Sequence, residues 1–168
     1  MLATQEFIEA VVAGLTQETE VKIVAGEEWK FNIKDRILEF NTRDLLNLPI
    51  STIRGLLLHE IGHLFFTGMV NDTPVTKKYG NKMMSIYNPM EDLRIEIRLN
   101  KKYGEYAQAA LALTNRDGIA QQIAGTHGDW TKMKKIDQFM LLILFQYSYQ
   151  YTDDQEILLG HNMSKILD

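Results

Sequence analysis

The sequence predicts an α+β fold in which a small, mostly antiparallel sheet packs on a buried helix, with additional helices toward the C-terminus. Three observations carry this expectation. Between residues 21 and 41, apolar and polar residues alternate in short runs, as they do in half-buried strands. Leu56, Leu57, Leu58, Ile61, Leu64, Phe65 and Phe66 then make one helical segment apolar almost all round, the pattern of a helix inside a core. Ile136, Phe139, Met140, Ile143, Tyr147 and Tyr151 recur at helical spacing near the end of the chain. With 168 residues, 45% of them hydrophobic, residues 1–168 have the size of one domain able to bury a substantial core.

Each element follows from local pattern. Phe7, Ile8, Val11, Val12 and Leu15 place an amphipathic helix from about Thr4 to Leu15. Val21 to Val24 is a short β-branched run before Gly26, and Trp29, Phe31 and Ile33 alternate with polar residues. Lys34-Asp35-Arg36 turns the chain, after which Leu38 and Phe40 alternate with Glu39 and Asn41 as a third strand. The sheet supports the central helix, and its exposed edge offers main-chain pairing to an extended peptide. Leu48-Pro49 marks a boundary, and Asn47 or Ser51 is the expected cap of a helix running to about Phe66, with Gly68 as its stop. Gly68 to Tyr87 is polar and without clear period, which reads as a lid, a cleft wall or a surface loop. Asn88 as cap and Pro89 at the first helical position open a helix to about Tyr103, ending at Gly104. Glu105 to Leu113 is Ala-rich and helical, and Asn115 to Asp129 is loop-like, with room for a short helix at Ile119 to Ala124. A helix is expected from Lys132 to about Tyr151, and Asp153 or Asp154 caps a last one through Leu167.

Composition narrows the partners. The formal net charge is −4 with both signs scattered along the chain, which argues against nucleic acid. Without cysteine there is neither a disulfide framework nor a thiolate metal site. The first fifteen residues carry Glu6 and Glu9 and lack the basic start and apolar run of a signal peptide. The longest apolar run, Phe139 to Phe145, is too short to span a bilayer. The expectation is a soluble cytoplasmic protein whose partner is a polypeptide substrate or another protein.

The chemistry centres on His59-Glu60-Ile61-Gly62-His63, an H-E-x-x-H match. Residues four apart stack on one helix face, about 40° from each other. Two imidazoles there can both reach a Zn²⁺ at about 2.0–2.1 Å. Glu60 then stands beside the open position, able to take a proton from a bound water whose pKa zinc lowers to about 7. The plain alternative is that these are ordinary histidines of a helix, but burying two His and a Glu among so many apolar residues is costly without a metal or other polar partner. Gly62 costs about 1 kcal/mol relative to Ala inside a helix, and is expected to let another backbone approach beside the metal.

Such a site needs a third ligand, and Asn88-Pro89-Met90-Glu91-Asp92-Leu93-Arg94-Ile95-Glu96 offers Asp92 or Glu91. Asp92 is preferred because Glu96, four residues on, shares its face and is placed to bond a ligand histidine. Glu91 has the longer reach, although its position three after Asn88 also fits a capping box, and Asp92 also suits the first turn of a helix dipole. Arg94 and Arg98 are expected to balance these carboxylates. His127, His161, Tyr79, Tyr87 and Tyr103 are open candidates for a hydrogen-bond donor to an oxyanion.

The pair H-E-I-G-H at 59–63 and N-P-M-E-D-L-R-I-E at 88–96 resembles the metallopeptidase-like domains of bacteria and bacteriophages, including those found ahead of von Willebrand A domains. Those domains read H-E-x-G-H and then N-x-x-E-D-x-R-I-E, and belong to the broad zincin group that includes thermolysin. The resemblance covers about residues 29 to 100, and no von Willebrand segment is expected in this chain. It implies a zincin-like fold, His59 and His63 as metal ligands, Glu60 as the base and a carboxylate ligand from 88–96. A zinc-dependent metallopeptidase is therefore expected. The alternative is a catalytically silent zincin-fold binding or regulatory module of a phage or stress system, with structural metal or none. Two imidazoles and a carboxylate suit Zn²⁺ but also accept Co²⁺, Ni²⁺ or Mn²⁺.

Overall fold

A computed structural model describes residues 4–17, 20–67, 84–112, 114 and 134. The expected helices of the last third, the loop at 115–129 and most of the segment after Gly68 lie outside these residues, as do Tyr79, His127 and His161.

Helix α1 (Gln5–Thr16) begins where Thr4, in extended backbone, accepts a hydrogen bond from the Phe7 amide through its hydroxyl. Ile8 and Val12, four apart, carry its buried face, and Gln17 closes it in left-handed backbone with its N–H on the Ala13 carbonyl.

Three strands follow, β1 (Lys22–Gly26), β2 (Lys30–Asn32) and β3 (Ile37–Asn41), in the spatial order β1-β3-β2. β2 pairs antiparallel with β3, whereas β1 runs parallel to it, from Lys22 opposite Ile37 to Gly26 opposite Asn41. The sheet is therefore mixed, and the mostly antiparallel sheet expected from sequence is corrected: the longer of its two ladders is the parallel one. Alternation places residues on faces and carries no information about direction. What sets the direction is the pair of connections. Asn32 accepts from the Asp35 amide and donates to the Asp35 carboxylate, and Arg36 takes positive φ, which folds β2 back on β3. Asn41 donates to the Glu27 carbonyl at 2.6 Å, which ties the exit of β1 to the end of β3.

A short helix, α2 (Thr42–Asn47), was not apparent in the sequence. Asn41 caps it by accepting from the Arg43 amide, and Trp29 pins it by donating from its indole to Asp44 at 2.8 Å. Helix α3 (Ile50–Phe66) carries the histidines. Neither Asn47 nor Ser51 caps it. Pro49 holds the cap position with no side-chain bond, its carbonyl accepting from Thr52 and Ile53, and Asn47 instead donates to the Arg43 carbonyl.

The apolar circumference of α3 has a structural reason: the helix is packed on two sides. Ile53, Leu57 and Ile61 join Leu38 and Phe40 of the sheet and Ile8 and Val12 of α1 in one core. Leu58 joins a second core with Ile95, Leu99, Ala107, Ala110 and Leu111 from the later helices. These are α4 (Met84–Tyr103) and α5, residues 105–112, separated by Gly104 at φ +61°. Helix α4 starts four residues before the expected cap. Asn88 is thus inside it, and Pro89 sits past the first turn, where it removes one backbone bond. The residues 84–87 read as loop from sequence are helical.

Gly62 lies where α3 and α4 meet. A β-carbon there would collide with Ile95 and come within 2.8 Å of Leu99, so the close partners are α4 side chains and the expected backbone approach is corrected. Gly62→Ala should gain about 1 kcal/mol in helix propensity but lose about 1–3 kcal/mol to overpacking, for a net loss on the order of 1 kcal/mol. Chemical denaturation measures this; a stabilised alanine variant would mean that the two helices are less tightly apposed. Among the described residues, no helix is long and apolar enough to cross a membrane.

Candidate metal centre

The packing of α4 on α3 brings one acidic side chain onto both imidazoles. Asp92 Oδ1 lies 3.6 Å from His59 Nε2 and 3.5 Å from His63 Nε2. The two rings are 5.1 Å apart and nearly perpendicular. One donor atom from each of His59, His63 and Asp92 fits within a span of 4.8 Å. Donors held at about 2.1 Å around a tetrahedral ion stand roughly 3.4 Å apart, so the two histidine–aspartate spacings fit a shared divalent cation. The donor set, two imidazoles and a carboxylate, is also one that Zn²⁺ takes. On the far side of His59, Glu96 Oε1 stands 3.6 Å from Nδ1, where a carboxylate orients a ligand histidine.

Glu91 points elsewhere. Successive helix residues diverge by about 100°, so adjacent carboxylates cannot both face α3 in the same way. Arg94 donates from Nε to Glu91 Oε2 at 2.6 Å and from Nη2 to Oε1 at 2.5 Å, and Nη2 also donates to the Phe66 carbonyl at 2.5 Å. The fork fastens the end of α3 to α4. Arg98, expected to balance the same acids, lies over the Phe66 ring. Among the described residues, no other trio of His and acidic groups comes together as a possible metal site.

Comparison with protein-family models, curated proteins and solved structures finds no match to this chain.

Glu60 is buried, 8% exposed, beside the histidines. Burial pushes its carboxyl pKa up, His59 pulls it down, Asp92 and Glu28 add to the rise, and a hydrogen bond from the Phe31 amide of β2 opposes it. That amide was not legible from sequence, since any residue type supplies one. Thr67, four residues after His63 and just past the helix, was also missed: its hydroxyl oxygen is 3.0 Å from His63 Nδ1. The i,i+4 spacing was the available signal. Tyr103 donates to the Leu15 carbonyl at 3.4 Å, toward α1, and Tyr87 stands by Glu91 and Arg94, with burial raising its pKa.

The site stores a proton. Burial works against a charged His59, but the carboxylates of Glu96, Asp92 and Glu60 outweigh it and lift the pKa to about 9. Burial, reinforced by the His59 and Arg94 charges, lowers His63 to about 4. Burial, with Glu96 and Glu91, raises Asp92 to about 6 against the pull of His59. A cation needs Asp92 ionised and both imidazoles neutral. Affinity should therefore rise about tenfold per pH unit between Asp92's pKa near 6 and His59's near 9, about a hundredfold per unit just below that window, and level off above it. Competition titrations with a chromophoric chelator across this range, corrected for metal hydrolysis, measure the slope; a flat profile would take the proton off His59.

Proposed function

We propose that this chain is a zinc-dependent metallopeptidase of the zincin type. The observation that carries the reading is the meeting of His59, His63 and Asp92 at ligand-like spacing beside a buried Glu60. His59, His63 and Asp92 would hold the ion, with Glu96 orienting His59. When bound, Zn²⁺ supplies positive charge that polarises a peptide carbonyl and lowers the pKa of water to about 7. Glu60 accepts the proton of the attacking water and returns it to the leaving amine. Burial raises its pKa above the ordinary carboxylate value, which makes it the better proton acceptor.

Elemental analysis of the purified protein tests the centre, with about one Zn²⁺ per chain expected. Incubating the metal-loaded protein with a proteome digest and reading new peptide termini by mass spectrometry tests the activity. New termini that disappear with chelator support the reading. Bound metal without cleavage over several metals and pH values would leave a silent binding module, and no metal at all would retire the peptidase.

A further inference from the structure

We infer that Arg94 is a positioning residue for His63: with Arg98 and Lys102 it forms a cationic stripe on α4 that caps the last turn of α3 from outside and so holds His63 beside Asp92. The ligand role of His63 rests on the proposed metal reading; the capping does not.

The two histidines have unequal support from their own helix. His59 lies well inside α3, whereas His63 opens its last turn, residues 63–66. The last four carbonyls of a helix have no donor within it. Helix α3 also ends without a glycine in left-handed backbone: Thr67 is extended, and its amide bonds the His63 carbonyl at 3.0 Å. The Phe66 carbonyl finds its donor on another helix, in Arg94 Nη2 at 2.5 Å. Glu91, 8% exposed, fixes Arg94 for this role by taking two parallel bonds, from Nε at 2.6 Å and from Nη2 at 2.5 Å. Arg98 and Lys102 follow at four-residue intervals, on the same side of α4. The Arg98 guanidinium stands 5.8 Å from the centre of the Phe66 ring, and Lys102 Nζ 3.7 Å from that of Phe65. All three cations meet α3 at the negative end of its dipole, where α3 brings no basic residue of its own besides His63. Just before His63, Gly62 lets Ile95 and Leu99 close on the helix. His63 is thus held by close packing on one side in the chain and by cations on the other, with Nε2 at 3.5 Å from Asp92 Oδ1.

Amide hydrogen exchange read by NMR on the metal-free full chain tests the capping. In Arg94→Ala the Phe66 and Thr67 amides should exchange about 10–100-fold faster, the equivalent of one hydrogen bond to a charged group, while Leu57 and Leu58 keep their protection. The His63 ring signals, assigned by their absence in His63→Gln, should shift, and those of His59 should stay in place. Added guanidinium ion, which can refill the space the side chain vacates, should restore both; a general loss of stability would not respond to it. Arg94→Lys keeps the charge but not the planar fork, so it should show the same selective loss, and it carries the test if Arg94→Ala does not fold. Zinc affinity should fall about 10–100-fold in Arg94→Ala and recover with guanidinium. Unchanged exchange at the end of α3, or an equal rise along the whole helix, overturns the inference, as does an unchanged zinc affinity beside the selective loss. Selective loss and rescue with no zinc bound by any of the proteins would leave the capping standing and overturn the metal reading instead.

Discussion

Glu60→Gln is expected to lower peptide hydrolysis by about 10²–10⁴-fold while the protein keeps its metal. The substitution changes one atom and leaves His59, His63 and Asp92 in place, so the ion's donors are untouched. Glutamine can still accept from the Phe31 amide through its carbonyl oxygen, which preserves the side chain's orientation. What it cannot do is hold a proton taken from water. Because burial already penalises the charged carboxylate, a neutral amide there should cost little stability. The comparison therefore needs three numbers from each protein: zinc content, melting temperature and initial cleavage rate on a peptide found in the digest. Equal cleavage rates in the two proteins would refute Glu60 as the base.

Zinc should raise the melting temperature of the wild-type protein and leave that of Asp92→Ala and His63→Ala nearly unchanged. A ligand bound only by the native state stabilises it by about 2.7 kcal/mol at a hundredfold excess over its dissociation constant. For a chain of this size each kcal/mol shifts melting by about 2–4 °C, so a rise of roughly 5–10 °C is expected. Glu91→Ala provides the contrast one residue away. It should weaken the metal-free protein, since it frees Arg94 from the fork that reaches the Phe66 carbonyl, yet retain a zinc-dependent rise at higher metal concentration. Thermal scans with chelator and with graded zinc measure both effects. A full zinc response in Asp92→Ala would remove that residue from the centre.

Much of the fold is legible in the sequence where the signal is local. Helix α1, the positions of all three strands and the reach of α3 follow from spacing alone, because apolar period acts over a few residues. The shared face of His59 and His63 follows the same way, from helical pitch. Local signals also misplace features. Asn88-Pro89 reads as a helix start, yet α4 begins at Met84 and runs through it. Asn41 ends a strand and caps α2 as well, and only the first role shows in the alternation.

Local pattern already gives which residues are apolar on which face, where the chain turns, and that two imidazoles and a glutamate share one buried helix. The way the elements pack makes β1 run parallel to β3, brings Asp92 to the imidazoles, and takes the Arg94 fork on Glu91 to the Phe66 carbonyl. The physical reason is common to all three. Periodicity sets the angle of a side chain about its own helix or strand, but which neighbour it meets depends on how two elements cross, and here that crossing is set by Ile95 and Leu99 closing on the bare backbone of Gly62.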